Sequence, residues 1–213
     1  MAQDAKCKIC RRTGRKLFLK GEKCFSPKCP MIKKAYPPGN TGKRRGRALS
    51  EYGKELKEKQ KLKGWYGLRE RQFSKYVKEV LEKAHRAKGA ANPAELLVKE
   101  LESRLDNTVF RLGLAPNRAQ ARQLVSHGHF LVNGKPVDIP SFSLRKGDKI
   151  SIRPNSLKKP VFEKLPANLK KYQTPSWLKL DKEKMEGEFI GVPNLEEVAP
   201  PAEISSIFEF YSR

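Results

Sequence analysis

Four cysteines, Cys7, Cys10, Cys24 and Cys29, are the residues of this sequence best suited to chemistry, and the chain has no others. They form a CxxC pair, a spacer of thirteen residues and a CxxxxC pair. Two close pairs at that separation suit a tetrahedral four-cysteine zinc site, because each pair wraps one turn around the ion and the spacer carries the second pair to its far side. Four thiolates also suit an iron–sulfur cluster, and two disulfides are the remaining alternative. Neither a secretory leader nor a membrane span is expected: Met1 to Lys6 has no apolar stretch and no run of about eighteen apolar residues occurs. A reducing compartment follows, which disfavours disulfides. Lys6, Lys8, Arg11, Lys23 and Lys28 stand beside the cysteines and are expected to lower the thiol pKa values, favouring the thiolates that bind metal. With all four positions taken by protein, the ion would fold its module and leave no place for a substrate.

The charge balance says what such a module serves. Among 213 residues, 46 Lys and Arg oppose 23 Asp and Glu, a formal net charge of +23. Residues 1–50 hold 15 basic and 2 acidic residues, so more than half of the net charge sits in the first quarter of the chain. Like charges at that density oppose compaction, so the natural partner is a polyanion, with nucleic acid the first candidate and a solubilising tail the plainer alternative. An anionic membrane fits poorly, because Pro and Gly interrupt the basic residues and no amphipathic apolar face accompanies them. After Tyr36-Pro37-Pro38-Gly39, the run Lys43, Arg44, Arg45 and Arg47 forms a basic arm. Its arginines can grip phosphate with two N–H groups each, ordering on the target; a solvated linker is the alternative.

Behind the arm, Ser50 caps a helix expected over 51–63, with Trp65-Tyr66-Gly67 as a turn. A second helix over 70–86 carries Phe73, Tyr76, Val77, Val80, Leu81 and Ala84 on one stripe. Asn92-Pro93 starts a helix of about five turns, along which Leu97, Leu101, Leu105, Val109 and Leu112 recur toward Gly113. Asn117 with Gln120 opens a shorter helix to His127, on which Arg118 and Arg122, one turn apart, share the outer face. Asn133-Gly134 between two extended apolar pieces signals a hairpin, and Lys149 to Ile152 reads as a further strand. Toward the end of the chain, Glu188 to Val192 suggests an extended piece, and Ile204, Ile207, Phe208 and Tyr211 are apolar anchors. These anchors should pack back on the helical middle or meet a neighbouring protein.

Glu102 to Asn107, Arg118 to Val125, His127-Gly128-His129, Val132-Asn133-Gly134 and the closing Glu209-Phe210-Tyr211-Ser212-Arg213 resemble the bacterial small-subunit ribosomal protein four family, in its zinc-binding form. The similarity spans essentially the whole chain, including the cysteines. It implies an α+β fold: a zinc module and basic arm at 1–48, an α-helical domain at 49–91 joined by 185–213, and a domain at 92–184. That last domain would contain the S-four RNA-binding fold, core about 102–165, with two helices on a small, mostly antiparallel sheet. The resemblance further implies a cytoplasmic constituent of the small ribosomal subunit. Such a protein is a primary binder of 16S ribosomal RNA that nucleates assembly of the 5′ domain. It would contact ribosomal protein five and messenger RNA where it enters the particle, and influence decoding accuracy.

Double-stranded RNA hides its base edges in a narrow major groove, so a binder of folded RNA reads backbone geometry, 2′-hydroxyls and unstacked nucleotides. Arg118 and Arg122, at the start of their helix, are the leading phosphate ligands, and Arg104, His127, His129 and Lys135 are expected along the same face. A cap or surface role is the alternative for each histidine, and an ion pair with Asp106 or Glu100 for Arg104. No phosphate-cradling loop, dinucleotide fingerprint or nucleophile with its base is present, so neither an enzyme nor a small-molecule binder is expected. A free regulator using the same surface outside the ribosome is the nearest rival.

Overall fold

The structure, a computed structural model, describes residues 6–39, 48–87, 92–170 and 172–213. The arm residues Lys43, Arg44, Arg45 and Arg47 lie outside the described residues. Two compact units emerge, one of Met1–Leu97 with Ala199–Arg213, the other of Val98–Val198.

In the first unit, α1 (Lys6–Thr13) packs on the short α2 (Pro30–Lys33) and on α3 (Glu51–Tyr66). The cysteine module and the helical segment thus share one unit. Ser50 Oγ accepts from the Gly53 N–H at 3.2 Å to open α3, as its position before an apolar-periodic run requires. The helix continues three residues past the expected Lys63, burying Tyr66, and stops at Gly67, whose φ of 64° favours glycine. Next, α4 (Glu70–Arg86) turns Phe73, Val77, Val80 and Ala84 into the core. Asn92 Oδ1 accepts from the Ala94 N–H at 3.0 Å, and Pro93 occupies the first position of α5 (Pro93–Glu102).

The expected five-turn helix breaks. After α5, Ser103 N–H still donates to Lys99 O at 2.9 Å, Arg104 turns extended, and the chain re-enters helix as α6 (Leu105–Arg111). Arg104 has φ −65° and ψ 137°. Neighbouring loop backbone supplies the partners that the break strands: Leu144 N–H donates to Ser103 O at 2.9 Å, Leu105 N–H to Phe142 O at 2.9 Å and Asp106 N–H to Pro140 O at 3.1 Å. In α7 (Arg118–Ser126), Asn117 Oδ1 accepts from the Gln120 N–H at 3.0 Å. Five antiparallel strands follow in spatial order β2-β1-β3-β5-β4: β1 (Phe130–Val132), β2 (Lys135–Pro136), β3 (Lys149–Ile152), β4 (Leu178–Asp181) and β5 (Glu186–Phe189). Asn133 and Gly134 both have positive φ, 50° and 78°, as the tight β1–β2 turn demands. Phe130 faces Ile152 and Val132 faces Ile150 across the β1–β3 pair, all four buried. A Cβ on Gly187 of β5 would stand 2.3 Å from Leu112 Cδ1, so the end of α6 rests on that strand where only glycine admits it. Short helices α8 (Pro154–Leu157), α9 (Leu165–Lys170) and α10 (Leu195–Val198) complete this unit. Since β5 pairs with both β3 and β4, residues 185–198 belong here, and the return to the first unit begins at Ala199.

That return ends in α11 (Ile204–Ser212), which packs on α3 and α4. Ile204 and Ile207 are buried, and the helix carries a polar latch. Tyr211 Oη donates to Glu70 Oε1 at 2.7 Å, while Lys59 and Lys63 Nζ reach the same carboxylate at 2.8 and 2.7 Å. Lys59 Nζ also stands 4.1 Å from the Phe210 ring centroid, and Arg213 donates to Glu55 at 2.7 Å. Partial burial alone would raise the Glu70 carboxyl, but hydrogen bonds from Lys59, Lys63 and Tyr211 win and hold it at about 2. A folded pKa below the ordinary 4.5 stabilises the fold above that value and loses its effect as pH falls toward 2. Thermal unfolding followed between those two pH values should therefore show a Glu70-dependent loss of stability, and Glu70→Gln should flatten that part of the profile while lowering the melting temperature at neutral pH.

Candidate nucleic-acid interface

The start of α7 is built on two buried carboxylates. Asp106, only 2% exposed, accepts from Arg104 Nε at 3.0 Å and Nη2 at 2.8 Å, and from Arg122 Nε at 2.7 Å. Glu102, fully buried, accepts from Arg111 Nε and Nη2, both at 2.9 Å, and from Asn107. Arg118 Nε donates to Asn107 Oδ1 at 2.7 Å, and its guanidinium lies 4.6 Å from the Phe110 ring centroid. Four guanidinium groups meeting two carboxylates leave a surplus of two positive charges at this corner. The reason lies in desolvation: a buried carboxylate costs several kcal/mol unless it is paired and hydrogen-bonded, and the helix break places both acids inside.

This arrangement corrects the expectation that Arg118 and Arg122 look outward. Both are half-buried and turned onto α6 and its flanks, with only Arg122 keeping an appreciable open edge. Arg104, 3% exposed and paired with Asp106, is a scaffold residue and has no access to a phosphate. His129 is likewise buried: its Nδ1 lies 2.9 Å from Ser156 Oγ and its ring meets Phe162 edge-on. Burial pushes this imidazole below its ordinary pKa, with Lys159, His127 and Arg153 adding to the effect, which disfavours its charged form. His127 at the C-terminus of α7 and Lys135 on β2 are exposed.

Lys159 and Arg153, which disfavour a charged His129, belong with Lys158 to a patch that sequence reasoning missed. Arg153, Lys158 and Lys159 are exposed and follow β3 directly, and Arg153 N–H donates to His129 O at 2.9 Å, which places this segment beside the end of α7. The signal was the density of basic residues between Arg153 and Lys159.

All four cysteines are free thiols that line one small pocket. Cys10, Cys24 and Cys29 are buried, and the Lys20 N–H donates to Cys24 Sγ at 3.4 Å. Contrary to the expected effect of the lysines, the Cys10 thiol is pushed up: burial dominates, and the nearby Cys24, Cys7 and Cys29 add to it. Only a cation among such sulfurs reverses their mutual repulsion, so the donor set suits a soft metal. The thiols are nevertheless not drawn into a coordination shell: among the described residues, no group of three or more His, Cys, Asp or Glu forms a metal-holding cluster. No helix among the described residues is long and apolar enough to cross a membrane.

Residues 2–98 match the family described as ribosomal protein S4/S9 N-terminal domain, and residues 103–150 match the S4 domain. The chain is 47% identical to small ribosomal subunit protein uS4 of Syntrophobacter fumaroxidans over 210 residues, covering 99% of this chain and 98% of that one. It is 46% identical to the protein of the same name from Thermus thermophilus and from Thermotoga maritima, in each case over 97% of this chain and 96% of the other.

The carboxylate–arginine corner carries a stability prediction independent of any RNA. Asp106→Ala strands Arg104 in the interior and should destabilise the protein by about 3–5 kcal/mol, whereas Lys135→Ala at the exposed strand should stay within about 0.5 kcal/mol; urea unfolding measures both.

Proposed function

Because this chain belongs to the small ribosomal subunit protein uS4 family, we propose that it docks a rigid, net-positive scaffold against the sugar-phosphate exterior of folded 16S ribosomal RNA. It is a structural constituent of the small ribosomal subunit that binds ribosomal RNA; it is not an enzyme, and its place is the cytoplasmic ribosome. The observation that carries this reading is identity of 45–47% sustained across 96–98% of the length of its relatives.

Physical support comes from how the basic residues are held. Arg122 and Arg118 begin α7 from fixed positions, because the carboxylates that neutralise them also orient them. Exposed Lys135, Arg153, Lys158 and Lys159 then present charge from the same unit, with the exposed His127 ring in its S4 domain. Such preorganised cations lose little freedom on meeting phosphate. The arm Lys43, Arg44, Arg45 and Arg47 would extend the footprint. We assign to this surface the early, primary binding that nucleates the 5′ domain. Contacts with ribosomal protein five and with entering messenger RNA, and an influence on decoding accuracy, complete the reading.

Cys7, Cys10, Cys24 and Cys29 would hold one structural zinc ion, which when bound supplies folding free energy and cancels thiolate repulsion. An iron–sulfur cluster is the alternative that four thiolates permit. Metal analysis of protein purified without metal-affinity resin should find about one zinc per chain; a content below about half an ion removes the assignment.

RNA binding is tested through salt. If about eight phosphates are neutralised, log K for a 16S fragment should fall with log salt at a slope of roughly −5 to −7. Replacing Arg153, Lys158 and Lys159 together by Gln should make that slope about 2 units shallower without unfolding the protein. Charge reversal at Arg118 or Arg122 is the poorer probe, since it also breaks the buried corner. A flat salt response in the parent protein would mean that its cations do not touch backbone.

A further inference from the structure

Two aromatic rings in the cysteine module stand where a protein with a modest core should not waste them. Phe25 is 74% exposed and Phe18 44% exposed, and their rings stack with centroids 5.0 Å apart at 30°. Phe18 also sits at φ 53°, a left-handed conformation that is an outlier for a bulky side chain. Its neighbour Leu17 is buried at 1% exposure, so the loop is anchored and the strain is held in place by packing. Strain of this kind persists only where the surroundings impose it, and here its effect is to hold Phe18 outward against Phe25. Lys16 Nζ lies 5.2 Å from the Phe18 ring centroid, and exposed Lys20, Lys23 and Lys28 flank the pair along the chain.

We propose that Phe18 and Phe25 form a stacking platform for an unpaired RNA base, with the surrounding lysines gripping the phosphates on either side of that nucleotide. This rests on the RNA-binding reading above and names a site within it. Charge and shape select the occupant together. A segment carrying 15 basic residues against 2 acidic ones among its first 50 calls for a polyanion. A flat, exposed ring pair calls for a π face. Nucleic acid joins both along one chain, and only where its bases are unstacked, because a duplex buries them. An acidic protein offers the charge without the regular planar groups.

The test uses the full-length chain and two probes, an oligoadenylate of about ten nucleotides and an RNA duplex of the same length. Phe25→Leu removes the π face while keeping an apolar side chain at a position too exposed to matter for the fold. It should weaken oligoadenylate binding about 5- to 100-fold and leave duplex affinity, the salt slope and the melting temperature unchanged. Phe25→Trp should retain or improve oligoadenylate binding, and the introduced indole should lose fluorescence on titration relative to the parent protein. Unchanged oligoadenylate affinity in Phe25→Leu, with unmoved indole fluorescence in Phe25→Trp at saturation, overturns the proposal and leaves the ring pair to a protein neighbour. The duplex arm keeps the two readings apart: a parent protein that binds neither RNA refutes the wider function, whereas one that binds duplex with no dependence on Phe25 refutes the platform alone.

Discussion

Two carboxylates that water cannot reach govern the RNA-reading unit. Glu102 and Asp106 flank the break between α5 and α6, and their desolvation must be offset by cations brought from elsewhere. Arg104 and Arg111 come from the immediate neighbourhood, while Arg118 and Arg122 come from the next helix. That demand ties α7 to α6 at a fixed angle and rotation, which apolar contact by Leu124 and Val125 would leave looser. It also explains a division of labour. The arginines at the helix start act chiefly as girders, and freely accessible charge sits one step outward, on the strand edge and on the segment after β3.

Sequence reasoning succeeded where local chemistry and tertiary demand agree. The α4 stripe, the caps at Ser50, Asn92 and Asn117, the Asn133-Gly134 turn and the strand at Lys149–Ile152 all appear in the structure as expected. It failed where a long-range partner overrides the local signal. Leu97, Leu101, Leu105, Val109 and Leu112 keep helical period straight through Ser103 and Arg104, so nothing nearby announces the break; its cause is backbone about 40 residues away at Pro140 to Leu144. On α3, Glu55 and Lys59 face inward, because Arg213 and the Glu70–Phe210–Tyr211 cluster receive them, and an apolar stripe therefore looked sparse. Of the β4–β5 hairpin, the extended piece expected from Glu188 overlaps only the end of β5; the rest hid behind charged residues on its open face and a glycine whose purpose is visible only once Leu112 lies over it.

For the candidate site the same distinction holds. Residue type told correctly that this chain meets a polyanion, but position on a helical wheel could not tell which cations are free to do so. Arg104 and His129 were drawn inward by partners at Asp106 and Ser156, and in each case the partner, not the basic residue, carried the information. In the cysteine module, local charge pointed to acidified thiols; burial and the crowding of four sulfurs outweigh it at Cys10.

The helix that completes the first unit, α11, lies far along the chain from the helices it covers. Because α11 supplies Ile204 and Ile207 to a core begun by α3 and α4 more than 100 residues earlier, that core cannot close until the segment from Ala199 onward has been made. The second unit, drawn from one uninterrupted stretch, has no such wait. A newborn copy therefore emerges with its S4 domain able to mature first and its basic amino-terminal half still open, which puts the order of assembly under the control of chain connectivity.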